Sequence, residues 1–144
     1  MRSEERKKQL GEVFTPQFLV ERMLNKLQSC GSDVLTNYKK TVLDNSCGNG
    51  NFLVEILQQR MMNGISHKDA LSTIYGIDID ELNIKECRTR LLLGKNNKKL
   101  KEIVEHNIIL ADALDSEHIG WNEVGYMWSG KLPQQQMNKK FLDI

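Results

Sequence analysis

Three short apolar runs, Thr41 to Asp44 (TVLD), Ile74 to Asp78 (IYGID) and Asn107 to Ala111 (NIILA), alternate with stretches whose apolar residues recur at helical spacing. Runs this short, carrying β-branched residues and bounded by turn residues, read as buried strands. Strands alternating with helices predict a parallel sheet with right-handed crossovers, a doubly wound α/β fold with helices on both faces. The first helix opens with Thr15 as N-cap and Pro16 at the first helical position, followed by Phe18, Leu19, Met23 and Leu27 as its apolar stripe. It ends near Cys30, with Gly31 supplying a left-handed turn. Phe52, Leu53, Ile56 and Leu57 mark an amphipathic helix to about Met62. Ser66 and Asp69 form a capping-box pattern for a second helix, and Asp80 caps another that carries Leu82, Ile84, Cys87 and Leu91. Lys95 to Lys101 (KNNKKLK) reads as a basic turn or a solvated helix start. Near the end, WNEVGYMWSGKLPQQQMNKK has no sustained period, and its Trp121, Tyr126 and Trp128 read as packing residues.

A chain of 144 residues is one ordinary domain. Residues 1–10 read as a charged arm or helix, and residues 11–144 as a single folded unit. No apolar run approaches the roughly 20 residues that span a bilayer, and no apolar segment follows the charged N-terminus, so membrane insertion and secretion are not expected. Cys30, Cys47 and Cys87 are odd in number and show no C-x-x-C spacing, which argues against a disulfide framework and a zinc site. His67, His106 and His118 form no metal-spaced pair and read as surface residues; no metal is expected. A cytoplasmic, reduced protein is the expectation. The net charge of +1 offers no global attraction for nucleic acid, so DNA contact requires a local patch, a further domain or a partner subunit. Lys98, Lys99 and Lys101 read as a solvated face.

Chemistry concentrates in Asp44-Asn45-Ser46-Cys47-Gly48-Asn49-Gly50-Asn51-Phe52, where the first strand gives way to a helix. Ligands of parallel sheets bind outside the strand carboxyl ends, and Gly48 and Gly50 let the backbone turn sharply beside a ligand. A dinucleotide fingerprint fails, because its third glycine falls at Leu53, and no Gly-Lys-Ser/Thr ending makes a P-loop. An acid followed by G-x-G suits a ligand with a cationic or polar amino-acid end. Taken alone, Cys47 reads as a small packing residue, with no neighbouring histidine to activate it.

The segment resembles the D-P-x-C-G-S/T-G-x-F motif of adenine-N6 DNA methyltransferases, with Asn45 in place of the proline and Asn49 in place of Ser/Thr. Three further stretches agree in the family's order: Gly11 to Pro16 (GEVFTP), Tyr75 to Asp80 (YGIDID) and Ala111 to Leu114 (ADAL). The resemblance covers residues 11–115 and points to the methylase domains of restriction–modification systems. It implies a Rossmann-like S-adenosylmethionine-dependent methyltransferase fold, incomplete in its C-terminal half. It also implies a cofactor set of Phe14, Thr15, Pro16, Asp44, Ser46, Cys47, Gly48, Gly50, Phe52, Asp78, Ile79, Asp112 and Ala113. In that set Asp44 meets the methionine ammonium, Asp78 accepts from two ribose hydroxyls, and Asp112 accepts from the adenine amine. Phe14 and Ile79 give apolar contact, and Thr15 offers a hydroxyl to the cofactor carboxylate.

In the family, methyl transfer is carried by an N/D-P-P-F/Y loop after the fourth strand. Here the prolines are Pro16 and Pro133, and neither stands in that pattern. Asn138 to Ile144 resembles the approach to the fourth strand. Without that strand the first exposes an apolar edge, which predicts that residues 140–144 pair there or that a partner chain or second copy covers it. The leading expectation is a cofactor-binding domain that methylates adenine N6 in DNA when completed by further residues or a subunit. The alternative is an inactive cofactor-binding, regulatory or anti-restriction module of the same descent. A nicotinamide-dependent oxidoreductase is disfavoured by the missing third glycine.

Overall fold

A computed structural model describes residues 16–114. Their elements run α1 (Gln17–Ser29), β1 (Val42–Asp44), α2 (Asn51–Met62), α3 (His67–Ser72), β2 (Ile74–Asp78), α4 (Glu81–Leu91), α5 (Lys98–Asn107) and β3 (Ile108–Leu110). The expected arm, Phe14, Thr15, His118, the aromatic residues Trp121, Tyr126 and Trp128, and the expected pairing of 140–144 lie outside the described residues.

The strands form a parallel sheet in the order β1-β2-β3. Asp44 stands opposite Gly76, and Gly76 opposite Ile108. Pleating sends Ile74, Ile108 and Leu110 into the main core, with buried residues of all five helices, and sends Tyr75, Ile77 and Ile109 into a second cluster. A strand buried on two faces must be apolar throughout, which is why these runs do not alternate with polar residues. Beyond β1 no described strand continues the sheet.

Local signals placed most boundaries. Ser66 accepts from Asp69 N at 3.2 Å and Asp80 from Leu82 N at 3.1 Å, so both caps form. Gly31 has φ +86°, and Gly31 N and Ser32 N reach back to Gln28 O and Leu27 O to close α1. Pro16 stands one position earlier than expected, as the cap itself, with Leu19 N and Val20 N bonded to its carbonyl. The basic stretch opens a full helix, α5, which runs directly into β3.

Two expectations are corrected. The face of α1 that enters the core carries Val20 and Leu24, whereas Phe18, Leu19, Met23 and Leu27 are 37–66% exposed. The helix is rotated because it packs against α2, with Gln17 Nε2 donating to Glu55 Oε2 at 2.8 Å. His67 is buried rather than superficial. Its Nε2 lies 2.9 Å from Leu91 O, so that nitrogen carries the proton, and burial holds its pKa below the ordinary value.

Arg60, near the end of α2, is completely buried. Its Nε donates to Val34 O (2.8 Å), Nη1 to Ala70 O and Thr73 Oγ1 (both 2.8 Å), and Nη2 to Lys40 O (2.7 Å). None of these partners is a carboxylate. The guanidinium therefore closes the amino-terminal edge of the sheet by satisfying main-chain carbonyls from the α1–β1 connection and from α3. Arg60→Met takes the donor from the buried Ala70 carbonyl and from the part-buried carbonyls of Val34 and Lys40. It is expected to lower stability by at least about 2 kcal/mol, read as a reduced urea midpoint with little change in slope.

Candidate functional site

The β1–α2 turn is stitched to the next strand. Asp44 Oδ1 accepts Ser46 N at 3.1 Å, which starts the turn, and Cys47 N donates to Ile77 O at 3.0 Å. Gly48, at φ +55°, donates its N–H to Asp78 Oδ2 at 3.0 Å. Gly50, at φ +90°, begins α2. A Cβ on Gly50 would stand 2.8 Å from Cys87 Sγ, and one on Gly76 would stand 2.9 Å from Leu53 Cδ1 and 3.0 Å from Cys47 Sγ. Both glycines are thus required by packing. Cys47 and Cys87 are buried free thiols. Cys47 Sγ donates to Gly48 O at 3.8 Å, and the neighbouring Cys87 thiol, with burial second, pushes the Cys47 pKa well up, so that it serves as a packing group.

Asp78 gathers the site. Its Oδ1 accepts Asp80 N at 2.8 Å and Asn83 Nδ2 at 3.3 Å, while Oδ2 holds Gly48. A carboxylate offers about four lone-pair directions, and the chain itself takes three. Accepting from two ligand hydroxyls therefore requires that the long Asn83 bond be released. Ile79, the next residue, is 76% exposed at the strand tip. Ala111 N donates to the Asp78 carbonyl at 3.0 Å, which brings the end of β3 alongside. Asp112 there is exposed, its Oδ1 accepting Leu114 N at 2.9 Å, and Ala113 is half-buried.

The carboxylates share one edge of the sheet. Burial raises the Asp44 pKa, the Ser46 amide opposes the rise, and the Asp78 charge adds to it. The sheet edge therefore carries crowded negative charge with no cation among these hydrogen-bond partners, an arrangement that favours a cationic or hydroxyl-bearing ligand.

Of the expected residues, Asp44, Ser46, Cys47, Gly48, Gly50, Asp78, Ile79, Asp112 and Ala113 come to this edge. Phe52, in the first turn of α2, is half-buried against the main core to which Cys47 also belongs. Pro16 opens α1, whose Gln17 reaches Glu55 in α2, so the start of α1 lies beside that helix. Two residues of α4 join the edge beyond those expected: Asn83, which turns inward to Asp78, and Arg90, whose Nη1 donates to Asn49 O at 3.0 Å and Asn51 Oδ1 at 2.7 Å. Asn83 follows the Asp80 cap closely, a signal that was available. Arg90 gave none. A separate hollow of about 160 Å³ lies between α1 and α2, lined by Glu21, Leu24, Gln28, Glu55 and Gln59 among others, and contains none of the expected site residues. Among the described residues no group of three or more His, Cys, Asp or Glu could hold a metal ion, and no helix is long and apolar enough to cross a membrane.

The model of the N-6 DNA methylase family matches residues 1–129. No curated protein and no solved structure matches the chain.

Two outcomes follow from the edge and its turn. Gly64 and Gly50 share nearly the same φ (+89° and +90°), but nothing lies within 4 Å of a Cβ at Gly64. Gly64→Ala is expected to cost about 1 kcal/mol of backbone strain, and Gly50→Ala that plus about 1–3 kcal/mol of overpacking, in paired chemical denaturation. Adding Cys87→Ala to Gly50→Ala should recover part of the difference. For Asp44, a native pKa above 3.8 means that no penalty exists when the carboxyl is protonated in both states, and that one grows as pH rises through the native value. The stability difference in favour of Asp44→Asn, which keeps an acceptor for Ser46 N, should therefore widen in thermal melts from about pH 4 to about pH 7. A difference that stays flat or narrows would mean that neither burial nor the Asp78 charge penalises the Asp44 carboxylate.

Proposed function

The chain belongs to the N-6 DNA methylase family, and from that premise we propose that it binds S-adenosylmethionine at the carboxyl edge of its sheet. The observation that carries this reading is the bond from Gly48 N to Asp78 Oδ2, which joins the glycine turn to the acid of the second strand. Asp44 is the residue for the cationic amino-acid end, its raised pKa marking a carboxylate that gains from a positive neighbour. Asp78 serves the ribose hydroxyls by exchanging its Asn83 bond. Ile79, apolar yet 76% exposed, offers a face to the adenine ring, and exposed Asp112 an acceptor for its amine. Phe14, Thr15 and Pro16 are assigned to the methionine end by resemblance. When bound, the cofactor supplies an electrophilic methyl group on a sulfonium.

The acceptor in this reading is adenine N6 in DNA, in a restriction–modification setting and in the cytoplasm. The tetrapeptide that would orient the adenine amine is not in the sequence, where Pro16 and Pro133 stand in other contexts. Transfer therefore needs that loop and a DNA-reading surface from further residues or a subunit. The same observation supports a second reading, a cofactor-binding module that regulates or mimics a methylase without transferring the group.

Calorimetry with S-adenosylmethionine and S-adenosylhomocysteine is the test. Binding by the intact chain is expected, weakened at least about tenfold by Asp78→Ala and several-fold by Asp112→Ala, the latter with little change in melting temperature. No binding, unchanged binding after both substitutions, or preference for a nicotinamide dinucleotide would overturn the assignment. Methyl transfer to adenine-containing DNA, with and without methylase subunits, separates the two readings.

A further inference from the structure

The geometry points to Arg90 as a positioning residue for the glycine turn, an inference that rests on the cofactor site proposed above. Arg90 lies in the last turn of α4, half-buried, and a single nitrogen, Nη1, serves two acceptors on either side of Gly50: Asn49 O at 3.0 Å and Asn51 Oδ1 at 2.7 Å. A guanidinium nitrogen carries two hydrogens, so each acceptor has its own. Cys87, on the same helix face, is the residue against which Gly50 packs. The second half of the turn is thus held from α4 by one apolar contact and one cation, while Asp78 holds the first half through Gly48. Between these anchors the backbone passes through Gly50, whose N–H donates to Cys47 O at 2.9 Å, into the start of α2, and the course it takes there decides what a bound amino-acid end meets. One acceptor is the main-chain carbonyl of residue 49, which any side chain there would leave in place, and the other is the side-chain amide oxygen of Asn51. A lysine ammonium has hydrogens enough for both acceptors, but it carries them on a flexible stem without the planar guanidinium that fixes Nη1 between them. Arg90 therefore sets the turn without touching the ligand.

The test uses the full chain, with Arg90→Met and Arg90→Lys, and three readouts. S-adenosylhomocysteine reports both ends of the site, adenosine reports the nucleoside end alone, and hydrogen exchange reports the amides of residues 48–51. Arg90→Met is expected to bind S-adenosylhomocysteine at least about tenfold more weakly. It should hold adenosine within about twofold, since Ile79 and Asp112 stand at the other strand ends and Asp78 is fixed by Asp80 N and Asn83 Nδ2 as well as by Gly48. Exchange at 48–51 should quicken, and Arg90→Lys should fall between. Unchanged binding in both variants, equal losses for both ligands, or unaltered exchange would overturn the proposal; if Arg90→Met does not fold, Arg90→Lys decides on the same measures. Failure of the wild-type chain to bind either ligand refutes the cofactor assignment instead, and the exchange comparison still decides whether Arg90 fixes the turn.

Discussion

A fully buried guanidinium, that of Arg60, is the constraint from which the rest of the architecture follows. Taking a cation out of water costs several kcal/mol unless hydrogen bonds replace its hydration, and here they come from Val34, Lys40 and Ala70 carbonyls and the Thr73 hydroxyl. Thr73 in turn donates to the Tyr38 carbonyl, and Val42 N meets Thr73 O at 2.9 Å. The residues entering β1 and β2 are thereby tied to the end of α2. With the amino-terminal edge of the sheet closed in this way, the direction of β1 is set, and so is the point at which the chain must turn at the opposite edge.

That opposite edge is arranged on contrary terms. The amino-terminal edge buries one cation and satisfies it, whereas the carboxyl edge collects Asp44, Asp78 and Asp112 and satisfies them in part. Asp44 carries a raised pKa because the fold withdraws it from water beside a second acid. Asp78 is better placed, spending its acceptor capacity on Gly48, Asp80 and Asn83. One acid is therefore structural before any ligand arrives, and the other is a source of instability that a cation would relieve. Strain concentrated at one end of an otherwise well-packed sheet is how a fold commonly separates stability from binding.

The legible parts of the sequence were those governed by neighbours along the chain. β2 occupies Ile74–Asp78, the Ser66 and Asp80 caps form, and Gly31 adopts its positive φ because each depends on a few adjacent residues. The rotation of α1 was not legible, because periodicity shows that a helix has an apolar stripe but not which of two overlapping stripes meets α2. Val20 and Leu24 took the core, and the larger set with Phe18 did not. Arg60 and Arg90 escaped for the same reason. Their partners lie 10 to 41 residues away in sequence, and an arginine on a helix is ordinarily a surface residue. The burial of His67 is not legible in the sequence either, because its acceptor, Leu91 O, belongs to another helix.

The glycines of the turn show how a motif carries two kinds of information. Gly50 is compelled by α4: any side chain there would enter the space of Cys87, whether or not a ligand ever binds. Gly76 is compelled likewise by Leu53 and Cys47. A glycine of this type reports that two helices, or a helix and a strand, approach closely, and says nothing of chemistry. Gly48 differs, because its amide is given to the carboxylate of Asp78 and its positive φ directs it there. The spacing of glycines in such a motif is therefore largely a packing signature, which is why an isolated G-x-G is weak grounds for a ligand. What sets this turn apart is the acid one strand away that accepts its amide, and α4 on its other side, whose Cys87 packs against Gly50 and whose Arg90 donates to Asn49 and Asn51.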